Sequence, residues 1–158
     1  MERSLTGKKG KHMKQAVIIV LMVIAICSSY FWPNIKMRLA GNAQYTEFDK
    51  AKYDYYTPKV LKKMPRISQV YDFNYTNISG PKADVWSVTF YNTRDTWKIS
   101  EYLSMAGYEK QEKCDIEAEC WRLRGSDEVL TVVNMNSSNA VRVDILKSLY
   151  NDKYMPDK

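Results

Sequence analysis

The chain holds a single histidine, His12, among 158 residues. It stands in the N-terminal tail, so Ser-His-Asp and Cys-His catalysis and any histidine-ligated metal are excluded from the remainder. Glycine is scarce, with six in all, and none cluster into a loop that cradles phosphate. Cysteine is scarcer, with three. Two of them, Cys114 and Cys120, lie near no histidine to complete a zinc site, and their spacing is not that of a redox CxxC pair. Asp115, Glu117 and Glu119 alternate as part of a calcium loop would, but the glycine and the distal bidentate glutamate are missing. Pairs of carboxylates suited to glycan hydrolysis occur only without pattern. There is no internal repeat and no low-complexity tract. These absences lead to the expectation of a non-enzymatic chain with no cofactor and no bound metal.

Charge is missing from one long stretch, Gln15 to Ile35. As a helix, its 21 residues would span about 31 Å, the thickness of a bilayer's hydrocarbon. Before it, Arg3, Lys8, Lys9, Lys11 and Lys14 stand against Glu2, a net of +4 out of the chain's +6. The positive-inside rule therefore places the N-terminus in the cytosol and the following domain outside it, facing the periplasm in a Gram-negative cell. Lys14 and the belt Tyr30-Phe31-Trp32 are the expected membrane-interface residues, and Pro33 is expected to stop the helix. A cleaved signal peptide, with Ala16–Ile26 as its apolar region, and a lipoprotein acylated at Cys27 are the competing readings. The retained anchor is preferred because the aromatic belt carries the segment past the length a signal peptide needs. With the tail's charge set aside the rest is near neutral, so no nucleic-acid partner is expected.

The pattern divides the chain into a basic tail (1–14), a transmembrane anchor (15–35), a juxtamembrane tether (36–57), an extracytoplasmic domain (58–150) and a frayed tail (151–158). Thr57 followed by Pro58 predicts an N-cap and first turn, with Val60, Leu61 and Met64 on one face of a short helix closed by Pro65. Ile67, Tyr71, Phe73 and Tyr75 share one strand parity, and Gly80-Pro81 is a turn signal. Trp86, Val88 and Phe90 form the core face of a second strand. A helix over 95–106 buries Ile99, Tyr102, Leu103 and Ala106 and ends at Gly107. Short strands follow at 108–114, 120–124, 128–134 and 141–146. The fold class is α+β: an antiparallel sheet with one main helix packed on a face.

Cys114 and Cys120 fall at facing ends of two predicted strands, which in an oxidising compartment reads as an intrachain disulfide pinning a hairpin. The loop it closes, with Asp115, Glu117 and Glu119, and its neighbours Trp121, Arg122 and Arg124 form the candidate partner-binding surface; core packing is the alternative for Trp121. An N-terminal anchor, a small α+β domain and one disulfide together resemble bacterial immunity or exclusion proteins held in the envelope. That resemblance implies one protein partner besides the lipid bilayer. Trp86 to Arg94, a helix with Tyr102-Leu103, and Ala106-Gly107-Tyr108 look like the strand–helix–strand half of a SPOR domain over about 25 residues. That likeness implies peptidoglycan as the ligand, although four short strands replace the second helix. A structural subunit of an envelope complex is a further alternative. The Val/Ile/Leu run of the apolar segment has no small-xxx-small pattern for tight helix pairing.

Overall fold

The computed structural model describes residues 6–79, 83–114 and 116–148. They form two compact units, divided between Ala40 and Gly41. The first is one helix, α1 (Thr6–Leu39). Its stretch Met13–Trp32 is long and apolar enough to cross a membrane, and none of that stretch is buried within the protein. Lys14, Tyr30, Phe31 and Trp32 are exposed on it. The rings of Tyr30 and Phe31 meet edge-to-face at 5.7 Å, and the Lys36 ammonium lies 5.8 Å from the Trp32 ring.

The helix does not stop at Pro33, as its sequence predicts, but continues to Leu39, where the Ala40 N–H still reaches the Lys36 carbonyl at 3.0 Å. Proline removes one donor and its ring crowds the carbonyl four residues back, a local defect that long apolar helices tolerate. The segment read as a tether is likewise structured. It supplies β1 (Asn42–Tyr45) and α2 (Lys50–Tyr56), both within the second unit.

Then come α3 (Lys59–Lys63), β2 (Tyr71–Ile78), β3 (Ala83–Tyr91), α4 (Trp97–Met105), β4 (Tyr108–Lys110), β5 (Glu119–Leu123), β6 (Glu128–Met135) and β7 (Ala140–Ser148). Thr57 is not the cap of α3. Pro58 takes that position, and the Thr57 hydroxyl instead donates to Tyr45 Oη at 3.0 Å inside the core. The α4 helix starts later than its sequence predicts, after the Asp95 carboxylate accepts from the Trp97 N–H at 3.0 Å, and Gly107 at φ 88° ends it. Strand β4 is short: beyond the Lys110–Trp121 pair one bond, from the Gln111 N–H to the Cys120 carbonyl at 2.8 Å, closes its ladder, although β5 extends to Glu119. Gly80-Pro81, Asp115 and the tail 151–158 lie outside the described residues.

The strands form one seven-stranded antiparallel sheet in the order β1-β2-β3-β7-β6-β5-β4. α4 carries the chain from the middle of the sheet to its far edge, and three hairpins bring it back to β7. β3 and β4, the strands of the SPOR-like stretch, are therefore not neighbours. Period-2 alternation gives the sheet an inner face. Tyr45, Phe73, Val88, Val143 and Val132 lie side by side across five strands, all buried. The helices add buried Tyr56, Leu61, Ile99 and Leu103, and Tyr102 Oη donates to the Val60 carbonyl at 2.9 Å, joining α4 to α3. Each fully buried side chain of this size contributes about 2 kcal/mol. The other face is polar at its centre, where Arg142 Nε donates to Asp144 Oδ1 at 2.7 Å beside buried Ser87.

Candidate functional site

Within the second unit the two ends of the sheet differ. At the entry end the chain arrives at Gly41, whose carbonyl accepts from the Asn77 N–H at 2.7 Å. The opposite, far end gathers five connections: 46–49, 64–70, 92–96, 111–118 and 136–139.

These connections are held by their own hydrogen bonds. Arg94 Nε donates to Asn139 Oδ1 at 2.9 Å, and Asn134 Nδ2 donates to the Arg94 carbonyl at 3.1 Å. The Thr93 N–H reaches the Asn139 carbonyl at 3.2 Å, so the β3–α4 connection is stitched to the β6–β7 turn. Asn92 and Asn139 supply the left-handed backbone that the two turns need. On the other side, Arg66 Nε donates to Glu47 Oε1 at 2.9 Å, and Tyr71 Oη donates to Glu47 Oε2 at 2.9 Å. Burial pushes the Glu47 carboxyl up, but the bonds from Arg66 and Tyr71 outweigh it and hold the pKa below the usual glutamate range. Cys114 and Cys120 are bridged, which anchors the 111–118 connection at its base.

Large apolar side chains stand exposed on this stitched frame. Phe48 is 96% exposed and Trp97 56% exposed; Val70 and Ile116 are also more than half exposed. Lone exposed apolar residues are ordinary. Here three of them lie on connections at one end of the sheet, and Trp97 opens α4 at the same end.

The structure separates the residues that the sequence groups together. Glu117 is exposed in the far-end hairpin. Glu119 opens β5, paired with Lys110 at 2.9 Å. Trp121 is only 4% exposed and belongs to the core, where its indole N–H has no hydrogen-bond partner among the described residues. Arg122 projects from the opposite face of β5. Arg124 lies at the entry end, paired with Glu109 at 2.8 Å. Asp115 lies outside the described residues. The far-end surface thus keeps the disulfide hairpin and adds Phe48, Val70 and Trp97, which carry no local sequence signal of exposure.

Among the described residues no group of three or more His, Cys, Asp or Glu side chains is arranged to hold a metal ion. Comparison of the chain with protein-family models, with curated proteins and with solved structures finds no significant match.

Proposed function

We propose that the chain is a membrane-anchored binding protein without catalytic activity. In this reading α1 spans the bilayer with its lysine-rich end in the cytosol, and the sheet domain stands outside, presenting its far end to one protein partner. The observation that carries the reading is the exposure of Phe48, on a connection held by the bonds of Glu47 to Arg66 and Tyr71, and of Trp97, at the start of α4 where its N–H is held by Asp95. Aromatic rings on rigid supports are the usual anchors of a protein interface, since little entropy is lost when they are buried. The bridged cysteines agree with an oxidising compartment. An immunity- or exclusion-type role, in which the partner is an incoming protein to be neutralised, is the form of this function that suits an anchored domain.

The test is photo-crosslinking from positions 48 and 97 in intact membranes, with exposed Gln44 on the β1 edge as the control position. The expected result is one protein species, crosslinked from 48 and 97 and not from 44. Its affinity for the purified chain should fall about tenfold for Phe48→Ser or Trp97→Ser. Equal labelling from all three positions would remove the far end as the interface.

A further inference from the structure

At the entry end, the inner face of the sheet finishes in a row of polar side chains. Asn77, Asp84, Lys147 and Glu128 are register neighbours on β2, β3, β7 and β6. One step inward lie Tyr75 and Trp86, paired across β2 and β3 with ring centroids 5.9 Å apart. The Tyr56 ring stacks on Tyr75 at 4.8 Å, and Tyr55 meets Tyr56 edge-on at 4.8 Å. Tyr55 is exposed, while Tyr75, Trp86, Asn77 and Asp84 are half-buried. An aromatic wall and a polar row therefore share one partly open corner.

The polar groups of that corner are fixed in advance. Tyr75 Oη and Asn77 Nδ2 both donate to Asp84 Oδ1, each at 2.8 Å. A carboxylate accepts about four hydrogen bonds, so these two leave acceptor capacity on Asp84. Tyr75, having donated its proton, keeps its lone pairs, and Asn77 keeps its carbonyl oxygen and a second N–H. Groups already oriented by one another lose little freedom when a ligand arrives. The array is rich in acceptors and borders an aromatic face; Lys147 is offset by Glu128 at 3.7 Å, which leaves the Asp84 carboxylate as the charge without an ion-pair partner among the described residues. That combination disfavours anions. It suits a neutral molecule with an apolar C–H face and a rim of hydroxyl donors.

A β-linked pyranose has that shape, because its substituents are equatorial and its ring face is flat and apolar. We propose that this corner binds a neutral β-linked oligosaccharide, with a sugar face against Trp86, beside the stacked Tyr56 and Tyr75 rings, and vicinal hydroxyls on Asp84 and Asn77. The site lies at the end of the sheet opposite the partner surface and shares no residue with it, so either assignment stands or falls alone.

The experiment is saturation-transfer NMR on the full chain in phosphatidylcholine nanodiscs, which avoids glycoside detergents. The probes are chitotetraose and cellotetraose, with the α-linked maltotetraose as control. Transfer to a β-linked tetramer is expected at sugar concentrations of a few mM, a range of about −4 kcal/mol in binding. Asp84→Ala should weaken it about tenfold, by removing a charged acceptor. Asn77→Ala should also weaken it while leaving the Tyr75–Asp84 bond in place, and this second variant decides the matter if Asp84→Ala fails to fold. No transfer to either β-linked tetramer, equal transfer to the α-linked one, or an affinity that survives both substitutions overturns the proposal.

Discussion

Arg66 ties three segments together with one guanidinium. It bonds Glu47 before α2, the carbonyls of Leu61 and Met64 around α3 at 3.0 and 2.7 Å, and Tyr53 Oη at 3.1 Å. It also lies 5.2 Å from the Tyr71 ring and 5.3 Å from the Phe73 ring. The planar fork is what makes this possible, since an ammonium cannot reach a carboxylate, two carbonyls and two ring faces from one position. Arg66→Lys keeps the charge and loses the fork. It is expected to cost roughly 2–3 kcal/mol, leaving carbonyls and the Glu47 carboxylate short of donors. For a domain of this size that lowers the unfolding midpoint by roughly 8–15 °C. Thermal denaturation followed by circular dichroism gives the answer; an unchanged midpoint would show that Glu47 and the carbonyls find water instead.

Elements with a periodic signal were legible from residues alone. Phe73, Val88 and Phe90 fall on the inner face as their alternation predicts, and Gly107 marks the end of α4 because only its left-handed backbone suits that turn. β1 was not legible. Its four residues, Asn-Ala-Gln-Tyr, lie at a sheet edge and bury only Tyr45, too short a pattern to show alternation. The candidate site divides the same way. The disulfide hairpin is visible in the cysteine spacing, whereas exposure of Phe48 and Trp97 depends on what their neighbours leave uncovered, and Trp121, for which the sequence leaves surface and core both open, is core. The consequence of β1 can be measured. A fragment starting at Gly41 keeps the whole sheet, whereas one starting at Pro58 loses β1 and α2, and with them buried Tyr45 and Tyr56 and the cover over Phe73. Two buried aromatic side chains are worth about 4–6 kcal/mol, comparable with the total stability of a small domain. The longer fragment should unfold cooperatively on heating and the shorter should not; equal midpoints for the two would show β1 to be dispensable.

The second unit as a whole couples its stability to pH at both ends of the scale. On the acid side the Glu47 carboxyl titrates below the usual range in the folded chain, so folding favours its ionised form. Stability from this group is complete above the ordinary glutamate pKa and is lost as pH falls through the lower folded value. On the alkaline side, burial raises the Tyr45 phenol to about 12, against a hydrogen bond from Thr57 that lowers it. Tyr75 also rises to about 12, through burial and then its bond to Asp84. Folding favours both neutral phenols, so their contribution is complete below the ordinary tyrosine value near 10 and fades as pH climbs towards 12. Tyr53, Tyr71 and Tyr108 shift the same way, with burial as the first cause of each. The unfolding midpoint should therefore hold a plateau through neutral pH, with an acid limb that begins as pH falls to the ordinary glutamate pKa and a steeper alkaline limb that begins near 10. Glu47→Gln should flatten the acid limb and leave the alkaline one intact, and Tyr75→Phe should do the reverse. Midpoints of both variants measured across pH 3 to 11 separate the two limbs, and an acid limb unchanged by Glu47→Gln would move its origin to other carboxylates of the sheet.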